Sequence, residues 1–338
     1  MAFVYMKPLF FSFIVPVYNR PEEIQELLES MVVMYYTGDY EIVIVEDGSQ
    51  RDAEAVIRSF SDELNVAYYK KGNTGPGDSR NYGMSKAKGN YFIVLDSDCL
   101  LPPEYLTEVE NELKRSYVDC YGGPDAAHES FSDTQKAIDF VMTSFLTTGG
   151  IRGGKNAVGR FQPRSFNMGI SKDAFEATGG FGNIHPGEDP DLTFRIWNKG
   201  FVSRLFPKAY VYHKRRIDWK KFHLQVKKFG MVRPILNKWH PGTAKPTYWF
   251  PSLFSLGSIA ALLLSFFGVL LPTLFFGTYL IIVFSAALFA KKSFKVAFMA
   301  LYALFIQFFG YGYGFLKSTI LVNFSNKRPE EVFPKLFF

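Results

Sequence analysis

From Pro246 to Ala290 the chain runs 45 residues without one charged side chain. No soluble domain of this size needs such a run. As helix it would extend about 65 Å, too long for one passage through a hydrocarbon core of about 30 Å and suited to two. Pro272 and Thr273 lie near its middle and divide it into a hairpin, Ser252–Leu271 and Leu274–Ala290. The second arm is short, which fits either some bilayer thinning or partial insertion. A third apolar segment, Val296–Leu316, follows Lys295 and is long enough to cross, with Tyr311 and Tyr313 near one interface. The expectation is a membrane part with spans 252–271, 274–290 and 296–316, then a tail at 317–338.

Charge sharpens this reading. The net charge is +6, yet residues 214–245 hold ten Lys/Arg and one acid, Asp218, which is +9 and leaves −3 for the rest. A basic belt beside apolar spans fits anionic lipid rather than nucleic acid. From Trp219, the apolar residues Phe222, Val226 and Phe229 recur at helical spacing among Lys220, Lys221, Lys227 and Lys228. Residues 214–247 therefore read as a basic amphipathic segment at the membrane interface, a helix packed on the preceding domain being the other reading. Basic residues flank the hairpin on both sides, Lys291, Lys292 and Lys295 following it. The positive-inside rule puts both flanks in the cytoplasm. Two cysteines, Cys99 and Cys120, fit a reducing compartment. Apolar Leu9–Val15 lacks a small-residue cleavage site and reads as a first strand rather than a signal peptide.

Residues 1–213 have a different grammar. Phe11–Tyr18, Glu41–Val45, Asn65–Tyr69 and Tyr91–Leu95 are apolar runs of strand length, alternating with turns and helical stretches. That alternation predicts an α/β, Rossmann-like domain on a parallel sheet. Pro102–Arg115 is expected as a helix, with strands at Tyr117–Tyr121 and Phe166–Ile170 and a helix from Pro190. The glycine-rich, basic stretch 149–164 reads as a mobile loop, near a ligand or merely flexible. No GxGxxG follows the first strand, which argues against nicotinamide and flavin cofactors.

The chemistry concentrates in residues 72–98. Gly72, Gly75 and Gly77 permit a tight loop, and Asp78, Arg80 and Asn81 fall in the first turns of a helix, where a cation and free amides suit a diphosphate. The strand Tyr91–Leu95 then ends in Asp96-Ser97-Asp98. Carboxylates at the carboxyl end of a buried strand sit where open α/β sheets bind ligands. Their oxygens suit a hard divalent cation that shares substrate phosphates.

Five pieces in this order, FIVPVYNR at 13–20, VEDGS at 45–49, DSRN at 78–81, DSD at 96–98 and GED at 187–189, resemble the family 2 glycosyltransferases. The likeness covers roughly residues 10–215 and implies the GT-A fold, a nucleotide-diphospho-sugar transferase domain. It implies donor contacts from Pro16, Tyr18, Arg20 and Asp47, with Arg80 nearby. Glu46 stands where the family usually has an aspartate. The DSD motif looks like the family's metal turn, with Asp98 on Mg²⁺ or Mn²⁺ and Asp96 on ribose or a metal-bound water. His213 lies where some relatives place another metal or phosphate contact, or is a structural histidine at a strand end. The GED motif implies Asp189 as the base of an inverting transfer. An aspartate before proline is also an ordinary helix cap. Asp191 is the rival base, and Glu188 would orient the acceptor.

The QxxRW signature of processive synthases is missing, which implies one sugar per reaction. The reading is a multi-pass membrane glycosyltransferase, catalytic domain on the cytoplasmic face, acting on a hydroxyl of a lipid-linked or envelope glycan. A polyprenyl-phosphate sugar synthase, a nucleotidyltransferase and a non-catalytic membrane scaffold of the same fold are the alternatives.

Overall fold

The structure, a computed structural model, describes residues 8–126, 131–149, 160–213 and 218–338. It divides into two compact units, one built on a β-sheet and one made of helices. The strands are β1 (Phe11–Val17), β2 (Tyr40–Asp47), β3 (Val66–Lys71), β4 (Tyr91–Leu95), β5 (Cys99–Leu100), β6 (Cys120–Gly122), β7 (Asp125–Ala126), β8 (Asn167–Ser171), β9 (Ser203–Leu205) and β10 (Val211–His213). The helices of this unit are α1 (Pro21–Val32), α2 (Glu54–Ser59), α3 (Pro76–Lys86) and α4 (Tyr105–Arg115). The helical unit adds α5 (Asp133–Thr143) and α6 (Phe145–Thr148), and the chain then returns to the sheet unit for α7 (Lys172–Thr178) and α8 (Glu188–Asn198).

The main sheet has the order β3-β2-β1-β4-β8-β6-β9. Strands β1 to β4 pair in parallel, as their continuous apolar runs predict for strands covered on both faces. The sheet as a whole is mixed, which corrects the all-parallel expectation: β8 runs antiparallel to both β4 and β6. Between β7 and β8 the chain leaves the unit, since α5 and α6 pack with the helices. Among the described residues, no crossover helix therefore ties β8 to its neighbours in the βαβ manner that enforces parallel pairing.

Two local features place the site. Helix α3 lies against β1 and β2, and a Cβ added at Gly83 would come within 2.7 Å of Ile14, so glycine is what allows that approach. A second sheet, β5-β10-β7, sets His213 directly opposite Cys99, one residue past Asp98.

The helical unit continues with α9 (Trp219–Trp239), α10 (Phe250–Ser265), α11 (Leu271–Lys291), α12 (Phe294–Phe324) and α13 (Pro329–Val332). Three stretches, 246–265, α11 and α12, are long and apolar enough to cross a membrane. The hairpin turns earlier than expected, at 266–270. Gly268 takes a left-handed φ of +80° there, and Pro272 falls in the first turn of α11, where its missing N–H costs nothing. Helix α12 runs on past Leu316 to Phe324. Helices α5 and α6 are tied into this unit by polar contacts, among them Lys295 with Asp133 at 2.9 Å. Lys291 pairs with Asp139 at 2.7 Å, the Tyr279 hydroxyl donates to the Leu146 carbonyl at 2.9 Å, and Gln307 Nε2 donates to the Thr147 carbonyl at 3.2 Å.

Candidate active site

The carboxyl ends of β1, β2 and β4 are adjacent, at the point where the strand order reverses. After β1, Asn19 Oδ1 accepts from the amides of Gln50 (2.8 Å) and Arg51 (3.1 Å), and its own N–H donates to Ser49 Oγ (2.7 Å). The turns after β1 and β2 are thereby fixed to each other. Strand β2 outlasts its apolar run and carries Glu46 and Asp47 as its last residues. Asp47 accepts from the amides of Thr74 and Gly75, both at 3.0 Å, and pairs with Lys71 Nζ at 2.8 Å. It shapes the glycine loop that leads into α3. Glu46 accepts from the Ala53 amide and the Tyr68 hydroxyl, each at 2.9 Å, and from Ser49, so its oxygens hold the turn. Asp78 stands exposed on the first turn of α3, 3.1 Å from Lys71 Nζ. The Thr74 hydroxyl, and then Lys71, lower its pKa against the opposing effect of burial. Tyr18 is half exposed and Pro16 partly so, which leaves both open to a ligand.

After β4, Asp98 lies between Arg20 and His213. Arg20 Nη1 is 2.8 Å from its Oδ2 and His213 Nε2 is 2.9 Å from its Oδ1; Asp96 Oδ2 is 4.0 Å from the same His213 nitrogen. Burial alone would raise the Asp98 carboxyl, but His213 and Arg20 outweigh it and hold the pKa at about 2. Phe166 stacks on the His213 ring at 5.1 Å and fixes its plane. Asp98, Cys99 and His213 bring ligand atoms within 4.8 Å of one another. The Cys99 thiol is buried and donates to the Phe166 carbonyl at 3.4 Å, so it is already engaged. What remains, two carboxylates with a histidine beside them, suits a hard cation such as Mg²⁺ or Mn²⁺.

Arg80 joins this turn to the GED motif. Its side chain is 4% exposed, with Nη2 on Asp96 Oδ1 at 2.8 Å and Nη1 on Glu188 Oε1 at 3.2 Å, and its guanidinium lies 5.3 Å over the Phe181 ring. Glu188 Oε1 also meets His185 Nδ1 at 3.1 Å. Burial raises the Glu188 carboxyl, but His185 and Arg80 prevail and bring its pKa to about 2. The next residue goes the other way. Burial first, and then the charge of Glu188, lift Asp189 to about 6 against the pull of Arg80. Asp189 Oδ1 and Glu188 Oε2 are buried with no hydrogen-bond partner among the described residues. Such oxygens are costly to leave unpaired in a finished core, and a ligand hydroxyl would satisfy them.

The cap reading of Asp189 is corrected. Helix α8 opens on Glu188 behind Gly187, whose φ of +121° makes it the cap, so Asp189 belongs to the first turn. Asp191 is gripped by its own helix: Arg195 Nε and Nη2 lie 3.0 and 2.7 Å from Oδ2, and Arg195 Nη1 donates to the Thr178 carbonyl at 2.7 Å. Residues of this site that were not among the expected side chains include Asn19, Lys71 and His185. Asn19 lies in FIVPVYNR at 13–20 and His185 stands at i,i+3 spacing to Glu188, while Lys71 left no signal. Of the expected loop 149–164, residues 150–159 lie outside the described part.

Residues 12–177 match the family model described as Glycosyl transferase family 2. An uncharacterized glycosyltransferase of Rickettsia typhi is 35% identical over 115 residues, 33% of this chain and 35% of that protein. The probable glycosyltransferase YdaM of Bacillus subtilis is 25% identical over 222 residues, 62% of this chain and 51% of its own. The matches thus span a third to a half of these relatives' own length. Among solved structures, the mannosyltransferase PcManGT from Pyrobaculum calidifontis superposes with a TM-score of 0.60 at 16% identity, covering 93% of this chain and 88% of its own. TarS 1-349 of S. aureus gives 0.51 at 17%, covering 91% and 90%. The fold is that of the GT-A glycosyltransferases, and residues 12–177 of this chain are a family 2 glycosyltransferase domain.

Proposed function

We propose that this chain transfers a sugar from a nucleotide-sugar donor to a hydroxyl of a lipid-linked or envelope glycan, with inversion and one sugar at a time. The observation that carries the reading is the pairing around Arg80: a carboxylate turn at Asp96 and Asp98 on one side, and Asp189, with an unpartnered oxygen and a pKa of about 6, on the other. A base titrating just below neutrality is ionised at working pH yet still basic enough to take a hydroxyl proton.

Asp189 accepts the acceptor's proton as that oxygen attacks the anomeric carbon from the face opposite the diphosphate. The bond to the diphosphate breaks, and a nucleoside diphosphate leaves. Glu188 Oε2 holds the sugar or acceptor hydroxyl, while Arg80 keeps Glu188 and Asp96 at fixed separation. Tyr18, Arg20 and Asp78 face the nucleotide from the loops that Asp47 and Asn19 brace. A divalent cation bound by Asp98 and Asp96, with His213, would stabilise charge on the departing diphosphate. Support for a metal comes also from PcManGT, which is in complex with GDP-Man and Mn²⁺.

We place the sheet unit on the cytoplasmic face, with the hairpin α10–α11 inserted from that side, because Lys and Arg flank both its ends. Transfer assays with UDP-, GDP- and dTDP-sugars, with and without Mn²⁺, test the activity. Release of a nucleoside diphosphate dependent on acceptor and metal supports it, and release of pyrophosphate contradicts it. For the topology, cysteine at Phe267 in the hairpin turn is expected to label from outside intact cells, and cysteine at Lys292 only after permeabilisation.

A further inference from the structure

Helix α9 cannot lie across a bilayer. Its 21 residues carry Lys220, Lys221, Lys227, Lys228, Arg233 and Lys238 and no acid, with Lys227 and Lys228 near the middle, where hydrocarbon would be deepest. It is built to lie flat on anionic lipid, with Lys227 Nζ held 5.1 Å over the Tyr313 ring of α12.

Helix α12 is bound to it along most of its length. The two run in the same direction, from Trp219 against Tyr302 at 4.9 Å to Lys238 Nζ on the Val322 carbonyl at 3.0 Å. Between those points the backbones touch. A Cβ at Gly230 would sit 2.2 Å from the Tyr311 carbonyl oxygen, and one at Gly314 would sit 2.3 Å from the Lys227 carbonyl oxygen. Neither helix can tilt away from the other without opening this glycine seam.

Because α9 begins at Trp219, against Tyr302, α12 extends beyond that end of α9 by about eight residues, or roughly 12 Å of helix. That is far short of a hydrocarbon core of about 30 Å. The path of the chain agrees. Residues 325–337 contain no second apolar span that would bring the chain back.

We infer that α12 does not cross the membrane, although its length and composition would allow it. With α9 it forms one paired platform, resting on the anionic leaflet that the hairpin enters. The platform offers cations from α9 and the exposed stripe Phe309, Tyr313, Ile320 and Phe324 from α12. This rests on the membrane reading of the proposed function but not on which compartment that leaflet faces.

The test compares two positions on the full chain in native membranes. Single cysteines at Lys220 and Asn326 are placed in the otherwise unaltered protein, whose own Cys99 and Cys120 are buried. An impermeant maleimide is expected to reach both from the same side, in intact cells or in inverted vesicles. Labelling from opposite sides would overturn the inference, whatever the sidedness at Phe267 says about the hairpin. A second measurement follows depth with nitroxides along α12, in vesicles containing phosphatidylglycerol. Tyr313→Cys should read as shallow, accessible to a polar relaxant. A depth maximum there, near the centre of a 31-residue helix, would mean that α12 spans.

Discussion

Two aspartates at the opposite ends of one site have opposite fates. Asp98 sits between Arg20 and His213 and is held at about 2, so it stays an anion under all working conditions. Asp189 feels Arg80, Arg164 and a hydrogen bond from Ser165, but none of them outweighs its burial. It is buried beside an ionised Glu188, and burial first, then that charge, lift it to about 6. Both are short acids near buried strand or helix ends, and their residue type says nothing about the difference. Partners decide it. A carboxylate fixed as an anion suits the holding of a cation, and one near neutrality suits the taking and giving of a proton.

The largest effect is expected at the first aspartate. Asp98→Ala removes the ionised oxygens of the turn and should abolish the Mn²⁺-dependent part of donor binding in calorimetric titration, with the fold retained. Unchanged donor affinity would remove Asp98 from the metal turn. Asp189→Asn comes next. It keeps shape but cannot accept a proton, so turnover should fall ~10²–10⁴-fold while donor binding survives. Asp191→Asn, whose residue is clasped by Arg195, is the comparison that should stay active.

A third change attacks the link between the two. Arg80→Gln leaves Asp96 and Glu188 without their shared buried cation and should destabilise the sheet unit by about 3–5 kcal/mol, read by urea unfolding. The smallest effect concerns Glu188. Its folded pKa is depressed from 4.5 to about 2, so its contribution to stability is present above pH 4.5 and is lost as pH falls toward 2. Glu188→Gln should flatten that acid limb of the unfolding curve, and an unchanged limb would show that other carboxylates produce it.

The sequence made the strand ends legible because buried parallel strands are written as unbroken apolar runs, and DSD, VEDGS and GED follow such runs or open a helix. It could not show the electrostatics. Arg80 and Glu188 are 108 residues apart, and nothing local says that Arg80 points inward to both Asp96 and Glu188. The clamp on Asp98 comes from a two-residue strand, β5, pairing with β10, too short to leave a periodic trace. Pro190 pointed to a cap at Asp189, but the left-handed Gly187 two residues earlier had already begun the helix. The antiparallel β8 was hidden for a similar reason. Alternation of strand and helix cannot reveal that α5 and α6, lying between β7 and β8, belong to the other unit.

The division of labour between the two aspartates is tested most directly by the pH dependence of kcat/KM for transfer, in wild type and in Asp189→Asn. In a free enzyme whose base titrates at about 6, activity must rise as pH climbs through that value and level off above it. The account predicts this rising limb in the wild type and its disappearance from the residual activity of Asp189→Asn. A limb that persists unchanged in the variant would contradict it and assign the proton to another group.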